Sequence, residues 1–180
     1  MITTRGIAGV LLVLLAAGCS NGTGPQTGSQ TAPTSERIAF QSTRPGGTPE
    51  LLLMNPDGSN VQTLLGGPAT YQSPAFSSDG ARIAFSSNRD GDFDLYVMNR
   101  DGTGLAHVTG PSVPDTTYDD SPSWSPDGSK LVFGRLFSLG AELGVVNVDG
   151  TGETALTSVV TSGYLDWPAW SPAWRSRVAT

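Results

Sequence analysis

The sequence predicts an all-β fold built from repeated units of four short antiparallel strands. Three phrases recur in the same order along the 180 residues. "RIAF" at 37–40 returns as "RIAF" at 82–85 and "KLVF" at 130–133, spaced by 45 and 48 residues. An apolar run ending in Asn-x-Asp-Gly recurs at 51–58, 95–102 and 143–150, and "SPAFSSDG" at 73–80 returns as "SPSWSPDG" at 121–128. Self-similarity at this period is the signature of a repeat architecture.

The sequence of each unit predicts four strands, which we label a to d. Strand a is "PAF" or "PSW", strand b is "RIAF", strand c is "LYVM" and strand d is "LAHVT" at 105–109. Asp-Gly pairs that suit tight turns join a to b and c to d. Strand c is continuously apolar, which indicates that both of its faces are covered. Such four-stranded sheets, covered on both sides by their neighbours, are propeller blades. We therefore expect a partial β-propeller of about three blades and a fragment of a fourth. The residues assigned a structural role in the repeat are Asp57, Gly58, Asp79, Gly80, Asp94, Asp101, Gly102, Asp127, Gly128, Asp149 and Gly150.

The first 34 residues are expected to lie outside this fold. Arg5 followed by the apolar run 7–17 is typical of a signal peptide, and the run is too short for a transmembrane helix. "LAAGC" resembles the lipobox of bacterial lipoproteins, which implies cleavage after residue 18 and acylation of Cys19; an ordinary signal peptide followed by a free cysteine is the alternative. We expect residues 19–34 to form a flexible linker. The repeats are expected to fill 35–180, as units at about 36–67, 71–110 and 118–158 and a partial unit at 164–180.

"SPDGSKLVF" and "SSNRDGDFDLYVMNRDGTG" resemble the WD40-like (PD40-type) repeats of the TolB group of envelope propellers. The resemblance implies closure with six or more blades, whereas three are fewer than the usual minimum of about four. Residues 168–171 could supply strand a to the first b–c–d set. We otherwise expect exposed blade faces that need a partner, one option being a second copy that gives six blades. A truncated gene product is the alternative.

The composition offers little for catalysis. His107 is the only histidine, no G-x-S-x-G motif occurs, and neither a metal nor a cofactor is expected. The net charge of −6 argues against nucleic acid as a partner. An EF-hand loop starting at Asp90 would need Gly at its sixth position and Glu at its twelfth, where the sequence has Leu95 and Asp101.

The three aspartates at 90, 92 and 94 have different interpretations. Asp94 aligns with Glu50 and Glu142, so it belongs to the repeat, and we expect it to pair with Arg44 or Arg89. The b–c loop carrying Asp90 and Asp92 emerges on the same blade face as the d–a crossover. The candidate binding face on that side consists of Asp90, Asp92, Tyr71, Tyr118, Asp119, Asp120, Tyr164 and Asp166. The alternative is that the tyrosines only cover blade edges.

These features predict a lipid-anchored protein of the bacterial cell envelope, facing the periplasm or the exterior. Its propeller is expected to act as a non-catalytic module that binds envelope proteins, attached to the membrane only through its lipid. The alternatives are a carbohydrate-binding or polysaccharide-lyase-type propeller, an accessory domain of a peptidase, and a non-functional fragment. A lyase would depend on His107.

Overall fold

The computed structural model describes residues 36–43, 47–110, 117–158, 165 and 167–171. These residues form three antiparallel sheets and no helix, so none of them belongs to a helix that could cross a membrane. The first sheet is ordered β1-β2-β3, the second β4-β5-β6-β7, and the third β8-β9-β10-β11. The strands are Ile38–Thr43 (β1), Pro49–Met54 (β2), Gln62–Leu65 (β3), Tyr71–Phe76 (β4), Arg82–Ser87 (β5), Asp94–Asn99 (β6), Ala106–His107 (β7), Tyr118–Trp124 (β8), Lys130–Phe137 (β9), Gly140–Asn147 (β10) and Thr154–Ala155 (β11).

The predicted all-β fold of partial propeller blades is confirmed, and the first sheet starts at strand b as expected. Two strand boundaries differ from the prediction. Strand a is longer, because β4 and β8 begin at Tyr71 and Tyr118 and not at the prolines. Strand d is shorter, with only Ala106 and His107 in β7.

The two faces of the second sheet are buried against different neighbours. Ile83 and Phe85 of β5 pack with Leu51 and Leu53 of the first sheet. The intervening Ala84 packs with residues of the third sheet, among them Phe133. Alternate residues of a strand point to opposite faces, so one strand contributes to two cores. The prediction that both faces of a blade are covered therefore holds for the second blade.

The a–b turns are closed by a serine and an aspartate. Asp79 Oδ1 accepts hydrogen bonds from Ser77 Oγ at 2.6 Å and from the Ala81 amide at 3.0 Å. Asp127 accepts the same bond from Ser125 Oγ at 2.6 Å in the third sheet. These local bonds satisfy polar groups that the strands leave unpaired at the turn.

The c–d turns have a second, equally regular geometry. The Gly102 amide donates to Asn99 O at 2.9 Å, and the Asn99 amide donates to Thr103 O at 2.8 Å. Gly102 has φ of 87°, a conformation that glycine adopts without strain. The Asp101 carboxylate accepts from the Thr103 amide at 3.0 Å. Asp57 and Asp149 do the same for the amides of Ser59 and Thr151.

Acid should destabilise the fold through these turns. Hydrogen bonds from neighbouring hydroxyls and amides lower the pKa of five exposed carboxyls, and they lower that of Asp127 to about 2. In the unfolded chain an aspartate takes up its proton near pH 3.9, roughly its ordinary pKa. The stabilisation is therefore present above that pH and is lost as the pH falls through the lowered folded-state values. We expect the melting temperature, followed by circular dichroism, to fall between about pH 5 and pH 2.5. If the melting temperature of an Asp127→Asn variant falls over this pH range by as much as that of the wild type, protonation of Asp127 does not contribute to the loss.

The a strands carry a backbone irregularity at the same place in each copy. Ser73, Ser121 and Trp167 have φ of 51°, 54° and 54°, and each precedes a proline. The pairing of β4 with β5 and of β8 with β9 shifts register at this point. A positive φ is costly for residues other than glycine, so surrounding structure must hold these three positions.

Residues 167–171 lie beside the third sheet. Trp170 Nε1 donates to Ser123 O at 3.2 Å, as Trp124 Nε1 donates to Ala75 O at 2.9 Å one blade earlier. The segment therefore occupies the position of a further strand a. It is not hydrogen-bonded to the first sheet within the described residues, and this corrects the expectation that 168–171 complete that sheet.

Candidate functional site

Asp94 is buried, and its partner is a histidine. Its Oδ2 lies 2.8 Å from Nε2 of His107 on the neighbouring strand β7. This corrects the predicted pairing with Arg89, which instead lies 3.8 Å from Asp90 Oδ2; Arg44 is outside the described residues. Burial raises the pKa of Asp94 to about 6, against the opposing hydrogen bond from His107.

His107 is exposed on the outermost strand of its sheet and stacks on Tyr96, with ring centroids 4.6 Å apart. Its imidazole ring therefore contacts both Asp94 and Tyr96.

Asp90 and Asp92 lie at the b–c hairpin of the second sheet. Asp90 is exposed and accepts a hydrogen bond from the Tyr96 hydroxyl at 2.8 Å. Asp92 is half-buried, and its negative charge acts to raise the pKa of Asp94. Within the described part of the chain, no group of three or more acidic, histidine or cysteine side chains could hold a metal ion.

Asp119 is deeply buried in an ion pair. Arg135 donates to both of its carboxylate oxygens, at 2.7 Å each, and also contacts Glu153. Burial raises the pKa of Asp119, and the Arg135 guanidinium opposes that rise. Burial acts to lower the pKa of Arg135, but the hydrogen bonds to Asp119 and Glu153 outweigh burial and raise that pKa. Asp119 therefore organises the third sheet and is not offered to a surface ligand.

The two described tyrosines of the candidate face differ in exposure. Tyr71 is 6% exposed and packs in the core between the first two sheets. Tyr118 is half-buried and lies against Phe93, with ring centroids 4.4 Å apart. Tyr164, Asp166 and Cys19 lie outside the described residues.

A set of four residues, which we call the interblade cluster, remains as the candidate site: Gln72, Phe93, Tyr118 and Asp120. Gln72 Nε2 donates to the Tyr118 hydroxyl and to Asp120 Oδ2, the latter at 3.1 Å. Asp120 Oδ1 is buried and accepts no hydrogen bond from the described residues. A buried acceptor without a donor is costly, and a donor from a bound partner would satisfy it. Through Phe93 and Tyr118, the b–c loop of the second sheet contacts the first strand of the third sheet.

The prolines of the a strands line a cavity that the sequence interpretation overlooked. Its volume is 390 Å³, and its walls include Ser73, Pro74, Ser121, Pro122, Trp167 and Pro168. These are the positive-φ residues and the prolines that follow them. The sequence signal for this cavity is the recurrence of Ser-Pro, Ser-Pro and Trp-Pro at 73–74, 121–122 and 167–168.

Comparison with known proteins now gives the family. The family model described as PD40, TolB beta propeller domain, matches residues 15–174. The chain belongs to the TolB β-propeller family. The match covers all three sheets and the partial fourth repeat as far as residue 174.

Individual TolB relatives are longer than this chain. The Tol-Pal system protein TolB of Syntrophus aciditrophicus (strain SB) is 40% identical over 52 residues, which are 29% of this chain and 12% of that protein. The structure of a putative TolB from Agrobacterium tumefaciens superposes with a TM-score of 0.60 at 22% identity, covering 67% of this chain and 45% of the other. A puromycin hydrolase structure gives 0.55 at 15% identity, over 70% of this chain and 21% of the enzyme. At these identities the two structures show a shared fold alone.

Proposed function

We propose that the chain is a lipid-anchored TolB-type propeller of the bacterial cell envelope that binds other envelope proteins and catalyses no reaction. The observation that carries the proposal is the interblade cluster on a TolB-family scaffold. Its half-buried aromatic ring and buried carboxylate oxygen suit a protein segment that presents an N–H donor or a guanidinium group. The relative named Tol-Pal system protein TolB supports partners in the envelope. The "LAAGC" motif supports anchoring through Cys19.

Conservative substitutions in the interblade cluster should abolish partner capture. We expect the full-length Tyr118→Phe, Asp120→Asn double variant to recover at least tenfold less of the proteins that the wild type captures from cross-linked native envelopes. The double variant keeps the aromatic contact with Phe93 but removes a hydroxyl and a charge. Quantitative mass spectrometry of the captured proteins is the measurement, and an unchanged melting temperature confirms that the fold is intact.

Glu36→Gln is the matched control. It also removes one negative charge, but it lies beside the a–b turn at Asp79, at the other end of the blades. Capture that is equal for the wild type and the double variant would refute the proposed site. Cleavage of acidic polysaccharide that disappears in a His107→Ala variant would refute the non-catalytic role, and retention of a Cys19→Ser variant in the membrane fraction would refute the anchor.

A further inference from the structure

The arginine that opens the second "RIAF" phrase, Arg82, is held at the junction of the second and third sheets. Its Nη2 donates to Gly128 O at 2.7 Å, and its guanidinium carbon lies 4.6 Å from the centre of the Trp124 ring. A Cβ built onto Gly128 would stand 3.2 Å from Arg82 Nη2. The guanidinium group therefore fills the space beside the a–b turn of the third sheet.

Arg37 holds the equivalent place in the first "RIAF" phrase, but its guanidinium group is not bound in this way. Its Nη2 donates to Asn60 O and Gln62 Oε1, both at 3.4 Å, which is longer than the usual 2.7 to roughly 3.2 Å. Its Nε is buried and has no hydrogen-bond acceptor among the described residues. A buried donor without an acceptor is costly, and an acceptor on a ligand would satisfy it.

A cavity of 320 Å³ lies at the junction of the first two sheets, with Arg37 in its wall. The wall also includes Phe76 and Gly80, which are the repeat equivalents of Trp124 and Gly128. A Cβ built onto Gly80 would meet no described atom within 4 Å apart from those of its chain neighbours. The first junction thus leaves open the space that an arginine fills at the second.

A second guanidinium group lines the same cavity. Arg100 is the variable residue of its c–d turn, where the other two repeats have Pro56 and Val148. Val148 packs against the core between the second and third sheets. Arg100 instead lines the 320 Å³ cavity and a second one of 190 Å³, and Arg37 lines both as well. Two positive charges that are specific to this junction therefore meet at one space.

Two acids in the cavity wall do not neutralise these arginines. The Asp79 carboxylate accepts hydrogen bonds within its own a–b turn, and Glu36 is exposed. Neither acid forms an ion pair with Arg37 or Arg100 among the described residues. Their negative charges favour a singly charged anion over a doubly charged one, because repulsion grows with the charge of the ligand.

We propose that this cavity binds a carboxylate on a short apolar stem, with Arg37 and Arg100 donating to its oxygens and Phe76 contacting the stem. Guanidinium groups form strong, charge-assisted hydrogen bonds with carboxylates. The half-buried Phe76 ring supplies an apolar wall. A glutamate side chain of a protein segment and a small free carboxylic acid share this chemistry. The site lies at the end of the blades away from the interblade cluster, so the inference is independent of the proposed binding function.

An NMR titration of the arginine side chains tests the site. The Nε–Hε signals of Arg37 and Arg100 are followed in the full-length, ¹⁵N-labelled chain in mild detergent, and Arg37→Gln and Arg100→Val variants assign them. The probe is N-acetylglutamate α-amide at constant ionic strength, and its neutral isostere N-acetylglutamine α-amide is the control. We expect both signals to shift and saturate with the glutamate probe and to stay in place with the glutamine probe.

The Arg100→Val variant also tests the role of the second guanidinium group, because valine is the residue of the third repeat at this position. We expect about tenfold weaker binding of the glutamate probe, followed at the Arg37 signal, from the loss of a charge-assisted hydrogen bond. Arg89→Val is the matched control, since it removes the same charge from the b–c end of the second sheet, beside Asp90. Its affinity should equal that of the wild type. Circular dichroism melting confirms that both variants are folded.

Two further probes identify the source of the carboxylate and test its class. Butyrate that binds as tightly as the glutamate probe indicates a free carboxylic acid, whereas tighter binding of the glutamate probe indicates a protein segment. Stronger binding of inorganic phosphate than of either carboxylate would overturn the assignment to a carboxylate, as would equal shifts with the glutamine probe. Absence of any saturating shift, or equal weakening by Arg89→Val and Arg100→Val, would overturn the site itself.

Discussion

Arg135→Met should lower the free energy of unfolding by about 3 to 5 kcal/mol, because it leaves the Asp119 carboxylate buried without its counter-ion. Asp119 is 1% exposed, and Arg135 donates to both of its oxygens. Methionine fills much of the arginine's volume, so the loss reports the unpaired charge more than a cavity. The measurement is denaturant unfolding followed by tryptophan fluorescence.

Arg89→Met is the control for the loss of an arginine. Arg89 lies 3.8 Å from Asp90, and both side chains are substantially exposed. An exposed pair of this kind contributes roughly 0 to 1 kcal/mol. If the two variants were destabilised equally, burial of the Asp119 pair would not be the cause. A triple replacement of Asp119, Arg135 and Glu153 by apolar residues should recover much of the loss, since no charge is then left buried alone.

Phe85→Ala should cost about 3 to 5 kcal/mol, the range for removing a fully buried phenylalanine. Phe85 is 0% exposed, and its ring lies 6.1 Å from that of Tyr71 and 5.8 Å from that of Tyr96. All three rings belong to the second sheet and pack in one cluster with Leu51 and Leu53 of the first sheet. The substitution should therefore loosen the contact between the first two blades. A half-buried residue at the end of β9, Phe137, provides the control. A Phe137→Ala loss as large as that of Phe85→Ala would show that the blade contact is not specially dependent on this ring.

Most of the fold could be predicted because the turn residues and the apolar runs of each repeat indicate the same four-stranded blade. The Asn-x-Asp-Gly phrase fixes the c–d turn through local hydrogen bonds that the Thr103 amide and hydroxyl donate to the Asp101 carboxylate. The apolar run Leu95–Met98 requires cover on both faces, and the structure provides it. These are short-range effects, which a sequence pattern records directly.

The site was less predictable, because its contacts depend on which residues meet across strands. Asp94 pairs with His107 because β6 and β7 are adjacent, and the other two repeats have Thr63 and Ala155 where the second has His107. Asp119 is buried because it faces Arg135 on β9. Extending strand a by only a few residues placed Tyr71 in the core and Tyr118 at a blade junction. The D-x-D-x-D pattern that resembles a calcium loop thus separates into an exposed acid, a half-buried acid and a buried partner of histidine.

The stacked arrangement has a consequence for how the chain opens. Among the described residues, one buried cluster joins the second sheet to the first and another joins it to the third, so the sheet in the middle is held on two sides and each of the other two on one. Fraying therefore starts at the outer sheets. The backbone amides of β5 and β6 should be the last to exchange with solvent deuterium, whereas those of β1 and β11 should exchange early. The middle blade is accordingly the slowest-opening unit of the chain.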